Sequence, residues 1–209
     1  MTSFSRIHHL LERQAAHAPD AIALTTALTG DITFAEWLRA ANEAAATLRE
    51  AGVEAGHRVM LVAENSVALA TALMAASLLD AWSVPVNARL SAAEIDRIRD
   101  HARPAATLFT HAVSTREVTF AGEPAILESR PDTAAEPGTA AAGQIATLLY
   151  TTGTTGDPKG VMLTHANLIY GGQTSASHRG ITAADHIYGV LPLTHVFGLS
   201  SAFMAGLAA

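Results

Sequence analysis

Short apolar runs alternate along the chain with longer segments in which apolar residues recur every three or four positions. The short runs are typical of buried strands, and the longer spacing is typical of helices that bury one face. The pattern predicts strands over residues 21–26, 59–63, 83–86, 106–110, 145–150 and 187–191, with weaker edge strands at 118–120 and 125–127. It predicts helices over residues 4–16, 33–51, 65–79, 91–101 and 164–170, and another after residue 199. Strands and helices that alternate at this pace imply βαβ units, and hence an α/β fold with a mainly parallel sheet flanked by helices.

Cap and breaker residues sharpen three of these boundaries. Thr33 with Glu36, and Ser91 with Glu94, have the spacing of capping boxes, in which the two residues satisfy each other's backbone N–H groups at a helix start. Pro85 has no N–H to give to a neighbouring strand. The strand over residues 83–86 is therefore expected at an edge or an end of the sheet.

The last part of the chain is apolar and interrupted. Gly171 and Gly172 are poor helix formers, so the helix that starts near residue 164 is expected to weaken there. Residues 187–209 contain no Asp, Glu, Lys or Arg, which is long enough for a membrane span. Pro192, His195 and glycines break this segment, and no basic flank anchors it. We therefore expect no transmembrane span here, but a buried strand, a loop and the start of a buried helix.

Composition narrows the class of protein. The 209 residues allow one domain or slightly more, and 49% of them are hydrophobic, as in a globular protein with a large core. The formal net charge of −6 and the absence of a basic cluster argue against a nucleic-acid partner. Without cysteine there is no disulfide, thiolate metal site or cysteine nucleophile. The first residues lack an apolar signal core, so a cytoplasmic location is expected, and the sequence leaves the oligomeric state unknown.

The stretch over residues 145–161, I-A-T-L-L-Y-T-T-G-T-T-G-D-P-K-G-V, joins a buried-strand pattern to a polar loop rich in glycine and threonine. Glycines can adopt φ > 0, and turns of that kind point successive backbone N–H groups into one concavity. Threonine hydroxyls add donors and the lysine adds a positive charge. Such a loop fits either a surface turn or a phosphate site, and the phosphate site would be made by Thr151, Thr152, Gly153, Thr154, Thr155, Gly156, Pro158, Lys159 and Gly160. We expect it to be exposed at the C-terminal end of the 145–150 strand, where open α/β sheets bind ligands.

The loop is not a Walker A motif, because Gly160 follows Lys159 where that motif needs Ser or Thr. The full string Y-T-T-G-T-T-G-D-P-K-G-V instead resembles the phosphate-loop signature of the adenylate-forming superfamily, which includes acyl-CoA synthetases, aryl-CoA ligases, luciferases and peptide-synthetase adenylation domains. Thr152 stands where Ser is more usual, and it keeps the hydroxyl.

The resemblance covers nearly all of the chain. N-A-R-L-S-A-A-E-I at 87–95 and L-P-L-T-H-V-F-G-L at 191–199 are similar to two further family segments. Residues 1–209 therefore look like part of the N-terminal AMP-binding domain, with weak strands and a linker over 112–143 and the phosphate loop over 145–161. The family's adenine, ribose and Mg²⁺ motifs, its hinge and its C-terminal domain have no counterpart in these residues. The fold implied is an incomplete N-terminal domain of the adenylate-forming fold.

The resemblance implies a ligase that uses ATP, Mg²⁺ and coenzyme A to convert a small carboxylic acid, such as a fatty or aryl acid, into its thioester through an acyl-adenylate. Lys159 would be the catalytic residue in the phosphate loop, and His195, Phe197 and Gly198 would line the acyl pocket. Mg²⁺ would be held through ATP, with Thr155 as a candidate ligand. The 209-residue chain alone is expected to be inactive.

Other interpretations stay open at this point. Within the family, the chain also fits an aryl-CoA ligase or a peptide-synthetase adenylation domain that uses a carrier-protein thiol. From another class, it fits a non-catalytic nucleotide-binding remnant. Taken singly, Lys159 fits a solvated loop lysine, His195 fits a strand-end histidine, and Phe197 and Gly198 fit core packing.

Overall fold

The computed structural model of the chain describes residues 4–110, 117–120, 122–130, 133, 135, 144–151 and 158–209. The helices are α1 His8–His17, α2 Phe34–Glu50, α3 Val67–Leu78, α4 Ala92–Ala102, α5 His165–Arg179, a π-helix Phe197–Met204 and α6 Ala205–Ala208. The strands are β1 Ile22–Thr26, β2 Gly30–Thr33, β3 Arg58–Ala63, β4 Trp82–Asn87, β5 Ala106–Thr110, β6 Glu117–Phe120, β7 Glu123–Ser129, β8 Ile145–Thr151 and β9 Lys159–Thr164.

Seven strands form one sheet in the order β6-β7-β5-β3-β4-β8-β9, while β1 and β2 form a separate hairpin. The four adjacent strands β5, β3, β4 and β8 are parallel, since helical crossovers connect β3 to β4 and β4 to β5. On either side of these four, β7 and β9 run antiparallel to β5 and β8, and the edge strand β6 is antiparallel to β7. Five of the seven strands thus point the same way, and the predicted α/β fold with a mainly parallel sheet is confirmed.

The central strand β3 separates two hydrophobic clusters. Its residues Val59, Leu61 and Ala63 belong to the larger cluster, which also contains most of α3. Met60 and Val62 belong to a smaller cluster, which includes Ile98 of α4 and Leu148 of β8. Because successive side chains of a strand point to opposite faces, this alternation places packed residues on both faces of the sheet. The sheet can therefore present its strand ends, rather than its faces, to a ligand.

Both predicted capping boxes are present. The hydroxyl of Thr33 accepts a hydrogen bond from the N–H of Glu36 at 3.2 Å, and the Glu36 carboxylate accepts one from the N–H of Thr33 at 2.9 Å. Ser91 and Glu94 make the same two contacts at the start of α4. These helix starts depend only on residues three apart, which is why the local sequence sufficed to predict them.

The start of α3 is completed by a residue that lies far along the chain. The carboxylate of Glu123, the first residue of β7, accepts hydrogen bonds from the N–H groups of Val67 and Ala68 at 3.1 and 2.7 Å. Glu123 is 2% exposed. Its negative charge lies at the positive end of the α3 dipole, which stabilises both the helix and the buried charge.

The predicted position of Pro85 is wrong. Its strand, β4, lies inside the sheet, between β3 and β8. Six residues of β4 align with β3, whereas the ladder to β8 aligns Ser83 with Thr147. Pro85 follows Ser83 by two, so its missing N–H belongs to the side that faces β8. The strand accommodates the proline because pairing on that side is short, and the hydroxyls of Ser83 and Thr147 add hydrogen bonds across the gap.

The predicted weakening at Gly171 and Gly172 is also wrong, because α5 continues to Arg179. A Cβ on Gly172 would lie 2.8 Å from the carbonyl oxygen of Met204, and a Cβ on Gly171 would overlap the hydroxyl of Ser200. The two glycines therefore let α5 and the π-helix approach closely. This tertiary contact outweighs the low helix propensity of glycine.

The strand predicted over residues 187–191 is absent. The segment runs without regular structure, and its large apolar side chains are exposed, with Tyr188 at 89% and Val190 at 68%. The helix predicted after residue 199 is present as the π-helix and α6. Within the part of the chain that the structure describes, no helix combines the length and the apolar character that a bilayer crossing requires.

Candidate functional site

The antiparallel hairpin of β8 and β9 holds both ends of the predicted phosphate loop. Thr151, the last residue of β8, lies opposite Lys159, the first residue of β9, and both are exposed. Since β8 is parallel to β4, this end of the hairpin lies at the C-terminal edge of the parallel strands. Between these ends, Pro158 is half-buried. The predicted residues Thr152, Gly153, Thr154, Thr155 and Gly156 lie outside the described residues.

Gly160 has a packing role that differs from the one expected. It is absent from the described residues with positive φ, so it does not serve as a left-handed turn residue. A Cβ at this position would lie 2.8 Å from a terminal methyl carbon of Leu148 and 3.1 Å from its Cγ. Glycine here therefore lets the start of β9 lie close against β8, just below the loop.

The Lys159 side chain is available to a ligand. It is exposed, and it has no hydrogen-bond or ion-pair partner among the residues that the structure describes. It is also the only lysine of the chain. An exposed ammonium group at the end of a regular hairpin, without a partner in the described ranges, has the charge and the access that an anion requires.

Tyr150 precedes the loop and contacts α4. Its phenolic oxygen lies 2.7 Å from Nδ1 of His101, and the two rings meet edge to face with centroids 5.6 Å apart. Burial raises the pKa of Tyr150, so its hydroxyl stays protonated and can donate to the imidazole. Sequence analysis missed this pair, because the partners are 49 residues apart.

The predicted acyl-side residues lie where a tight turn leads into the π-helix, with His195 before the helix and Phe197 and Gly198 at its start. His195 donates its backbone N–H to the carbonyl of Pro192 at 3.1 Å, and its ring Nδ1 accepts the N–H of Phe197 at 3.2 Å. His195 is exposed, and Phe197 is 55% exposed. Gly198 is buried, and a Cβ there would lie 2.7 Å from the carbonyl carbon of Pro192 and 2.8 Å from the oxygen of Leu191. Glycine is required at this position by close backbone approach.

This turn lies at the same edge of the sheet as the phosphate hairpin. Asn65, two residues after the C-terminal end of β3, hydrogen-bonds to the backbone of Gly189, Leu191 and Leu193. Strand β3 is separated from β8 by β4 alone, and neighbouring strands are about 4.8 Å apart. The structure therefore brings the segment before His195 and the Lys159 hairpin to one edge.

An ion pair borders this edge. Arg89 donates through Nε and NH2 to the two carboxylate oxygens of Glu64 at 2.8 and 3.3 Å. The pair is exposed, so solvent screens it and it contributes little to stability.

Side chains that could bind a metal ion lie close together at another place in the fold, on α1. On α1, ligand atoms of His8, His9 and Glu12 all lie within 4.8 Å of one another. His8 contacts Ser77 near the C-terminal end of α3, which runs away from the edge that carries Asn65. This group is therefore not the Mg²⁺ site expected for the phosphate loop, whose candidate Thr155 lies outside the described residues.

Comparison with known proteins gives consistent matches. The sequence profile described as AMP-binding enzyme matches residues 11–209. The chain is 33% identical to 2-succinylbenzoate–CoA ligase of Bacillus licheniformis, in a match that covers 92% of this chain. It is 32% identical to 4-coumarate–CoA ligase 2 of Oryza sativa subsp. japonica, in a match that covers 97% of this chain. It spans 41% and 42% of the lengths of these two relatives.

A solved structure gives the same match in three dimensions. The O-succinylbenzoate coenzyme A synthetase of Bacillus subtilis, in complex with AMP, superposes with a TM-score of 0.77 at 28% identity. The match covers 95% of this chain and 53% of that one. The fold and the sequence thus agree on the same group of proteins.

Proposed function

Because the chain belongs to the AMP-binding enzyme family, we propose that it supplies the ATP-phosphate-binding part of an acyl-CoA synthetase. In the first step, a carboxylate oxygen of the acid forms a bond to the α-phosphorus of ATP, and the bond from that phosphorus to the oxygen of the departing pyrophosphate breaks. In the second step, the thiolate of coenzyme A attacks the acyl carbon, and AMP leaves with the electron pair of the broken carbon–oxygen bond. Both steps depend mainly on positioning and on the neutralisation of charge.

The observation that carries this proposal is the exposed pairing of Thr151 with Lys159 at the C-terminal edge of the parallel strands. The hairpin fixes the two ends of the loop at one register, so the intervening residues start and finish close together. Lys159 offsets the negative charge of the β- and γ-phosphates, and the Thr151 hydroxyl donates a hydrogen bond to them. Pro158 and Gly160 hold Lys159 in place from either side.

The rest of the loop completes the phosphate site in this proposal. Thr152, Gly153, Thr154, Thr155 and Gly156 supply the remaining backbone N–H groups and hydroxyls. Mg²⁺, held through ATP, would add positive charge at the phosphates. Hydroxyl donors and one ammonium fit a metal that is held mainly through ATP, because Mg²⁺ keeps several waters and binds few protein groups.

The acid binds on the side of His195 in this proposal. The exposed Phe197 offers apolar surface to the body of the acid, and Gly198 keeps the turn narrow. His195 Nδ1 accepts the Phe197 N–H, so its Nε2 is the nitrogen that carries the proton and can donate to the acid. The names of the two relatives each join an aromatic acid to coenzyme A, which supports an acid with an apolar, ring-containing body.

The test is carboxylate-dependent exchange of labelled pyrophosphate into ATP by the full-length protein. Lys159→Ala removes a charge-assisted contact worth on the order of 1.5–3 kcal/mol, so the catalytic efficiency for ATP should fall about 10- to 150-fold. Arg39→Ala removes one exposed positive charge from α2, remote from the hairpin, and is the matched control. Unchanged kinetics for ATP in Lys159→Ala would contradict the proposal. The 209-residue chain alone is expected to give no exchange.

A further inference from the structure

The side chain of Asn65 makes three hydrogen bonds to one segment of backbone. Its Nδ2 donates to the carbonyl oxygens of Gly189 and Leu191, each at 2.8 Å. Its Oδ1 accepts the N–H of Leu193, also at 2.8 Å. This set of partners fits one amide orientation, because two carbonyls need donors and one N–H needs an acceptor. Asn65 is not the cap of α3, since that role belongs to Ser66, whose hydroxyl accepts the N–H of Leu69 at 3.1 Å.

The segment that Asn65 holds has little other backbone support. Residues 186–190 form no strand, and Tyr188 and Val190 are among the most exposed large apolar residues. Within the described part of the chain, every hydrogen bond that ties the backbone of residues 189–193 to another element comes from Asn65. These bonds span 124 to 128 residues. Among the described residues, the hydrogen bonds that tie this backbone to the rest of the fold thus all come from one side chain, and the buried side chain of Leu193 adds packing.

Asn65 lies between two well-packed elements. It follows the buried central strand β3 and precedes α3, whose first N–H groups are held by Ser66 and by the buried Glu123. The held segment leads directly into the acyl-side turn. The Pro192 carbonyl, between two of the bonded residues, accepts the N–H of His195 and lies against Gly198. A shift of Pro192 would move His195 and the start of the π-helix with it.

We propose that Asn65 is a positioning residue for substrate selection, which fixes residues 189–193 across the end of β3 and thereby places His195 and Phe197 against the acid. The functional part of this proposal rests on the proposed function. The positional part does not, because it concerns hydrogen bonds within this chain alone. Loss of the amide donors should release the segment while the β8–β9 hairpin, which Asn65 does not contact, keeps its geometry.

The first test is hydrogen exchange of the Leu193 amide, measured by NMR in the 209-residue chain. Asn65→Asp keeps the shape and the acceptor but removes both donors, and Asn65→Ala removes all three bonds. Since Asn65 is exposed, both variants should fold, which circular dichroism checks. We expect Leu193 to exchange at least about tenfold faster in Asn65→Ala, and chymotrypsin to cleave faster after Tyr188 and Phe197 in both variants. Asn42→Ala, which removes an exposed amide bonded within α2, is the matched control and should change neither.

The second test compares the change in KM for the carboxylate with the change in KM for ATP in the full-length protein. We expect Asn65→Ala to raise KM for the carboxylate about tenfold, to narrow the preference between acids of different size, and to leave KM for ATP within twofold. Unchanged Leu193 exchange would overturn the positional claim. Faster exchange with equal increases in both KM values would overturn the functional claim. If wild-type protein shows no carboxylate-dependent exchange, the proposed function fails, and the Leu193 measurement still decides whether Asn65 holds the segment.

Discussion

The phenol of Tyr150 and the imidazole of His101 join the last turn of α4 to the residue of β8 that precedes Thr151, with 2.7 Å between the phenolic oxygen and Nδ1. The edge-to-face contact of the two rings adds to this hydrogen bond. The pair braces the hairpin from the face that carries the smaller hydrophobic cluster.

Tyr150→Phe keeps the ring contact and removes the hydrogen bond. We expect it to lower the free energy of unfolding by about 0.5–1.5 kcal/mol, measured by urea denaturation. His101→Ala should cost a similar amount. Because the two residues contact each other, the double variant should cost less than the sum. A strictly additive pair would show that the contact contributes nothing to stability.

Lys159 can be observed alone because the chain has no other lysine. Reductive methylation with ¹³C-formaldehyde keeps its charge and gives one lysine signal, besides that of the N-terminal amine. We expect the lysine signal to shift on addition of pyrophosphate or ATP, because the ammonium contacts the added phosphate. The N-terminal signal is the internal control. Shifts of equal size in both signals would indicate nonspecific ion binding.

Gly172→Ala tests the close approach of α5 to the π-helix. The new Cβ would lie 2.8 Å from the backbone carbonyl of Met204, which cannot rotate away. We expect a loss of about 1–3 kcal/mol in the free energy of unfolding from overpacking, despite the better helix propensity of alanine. Gly189→Ala is the control, since no atom lies within 4 Å of its Cβ position. A Gly172→Ala variant more stable than wild type would mean that the contact is looser than described.

Acid should destabilise the chain through two buried histidines. Burial lowers the pKa of His8 to about 4 and that of His165 to about 3, with the Arg6 guanidinium adding to the effect. Their unfolded pKa is about 6.5, so between pH 6.5 and these lower values the unfolded state binds more protons than the folded state. The stability they contribute is thus complete above pH 6.5 and is lost as the pH falls, by about 1.4 kcal/mol per pH unit for each histidine.

His165→Asn is the variant that tests this dependence, because its amide oxygen can replace Nδ1 as acceptor of the Ile7 N–H. The slope of unfolding free energy against pH, from pH 6 to pH 4, should decrease by roughly 1.4 kcal/mol per unit. His178→Asn changes an exposed histidine and should leave the slope unchanged. Equal slopes in wild type and His165→Asn would contradict the assignment.

The sequence predicted those features that neighbouring residues decide. Thr33 and Ser91 mark helix starts because their partners lie three residues on. The loop residues could be assigned to phosphate because their types and order resemble a known family. Thr151 and Lys159 are exposed at the C-terminal end of β8, where the loop was expected, whereas the pairing of β8 with β9 was not predicted. Their contact with phosphate stays a prediction.

Distant contacts explain what the sequence did not predict. Pro85 lies in a central strand because pairing with β8 is short, and Gly172 stays helical because Met204 packs against it. The role of Asn65 was not predicted, because its hydrogen-bond partners lie more than 120 residues away in the sequence. The apolar run at 187–191 has the composition of a strand, but hydrogen bonds from Asn65, instead of a neighbouring strand, hold its end.

Because the buried carboxylate of Glu123 completes the start of α3, it also affects when this helix can be completed during synthesis. Val67 emerges 56 residues before Glu123, which is about 3–11 s at 5–20 residues per second. During that interval Ser66 can already cap the N–H of Leu69, but the N–H groups of Val67 and Ala68 lack their carboxylate partner. The N-terminal end of α3 is therefore completed only after Glu123 has been made. A strand next to the edge of the sheet, made late, thus finishes a helix that was made early.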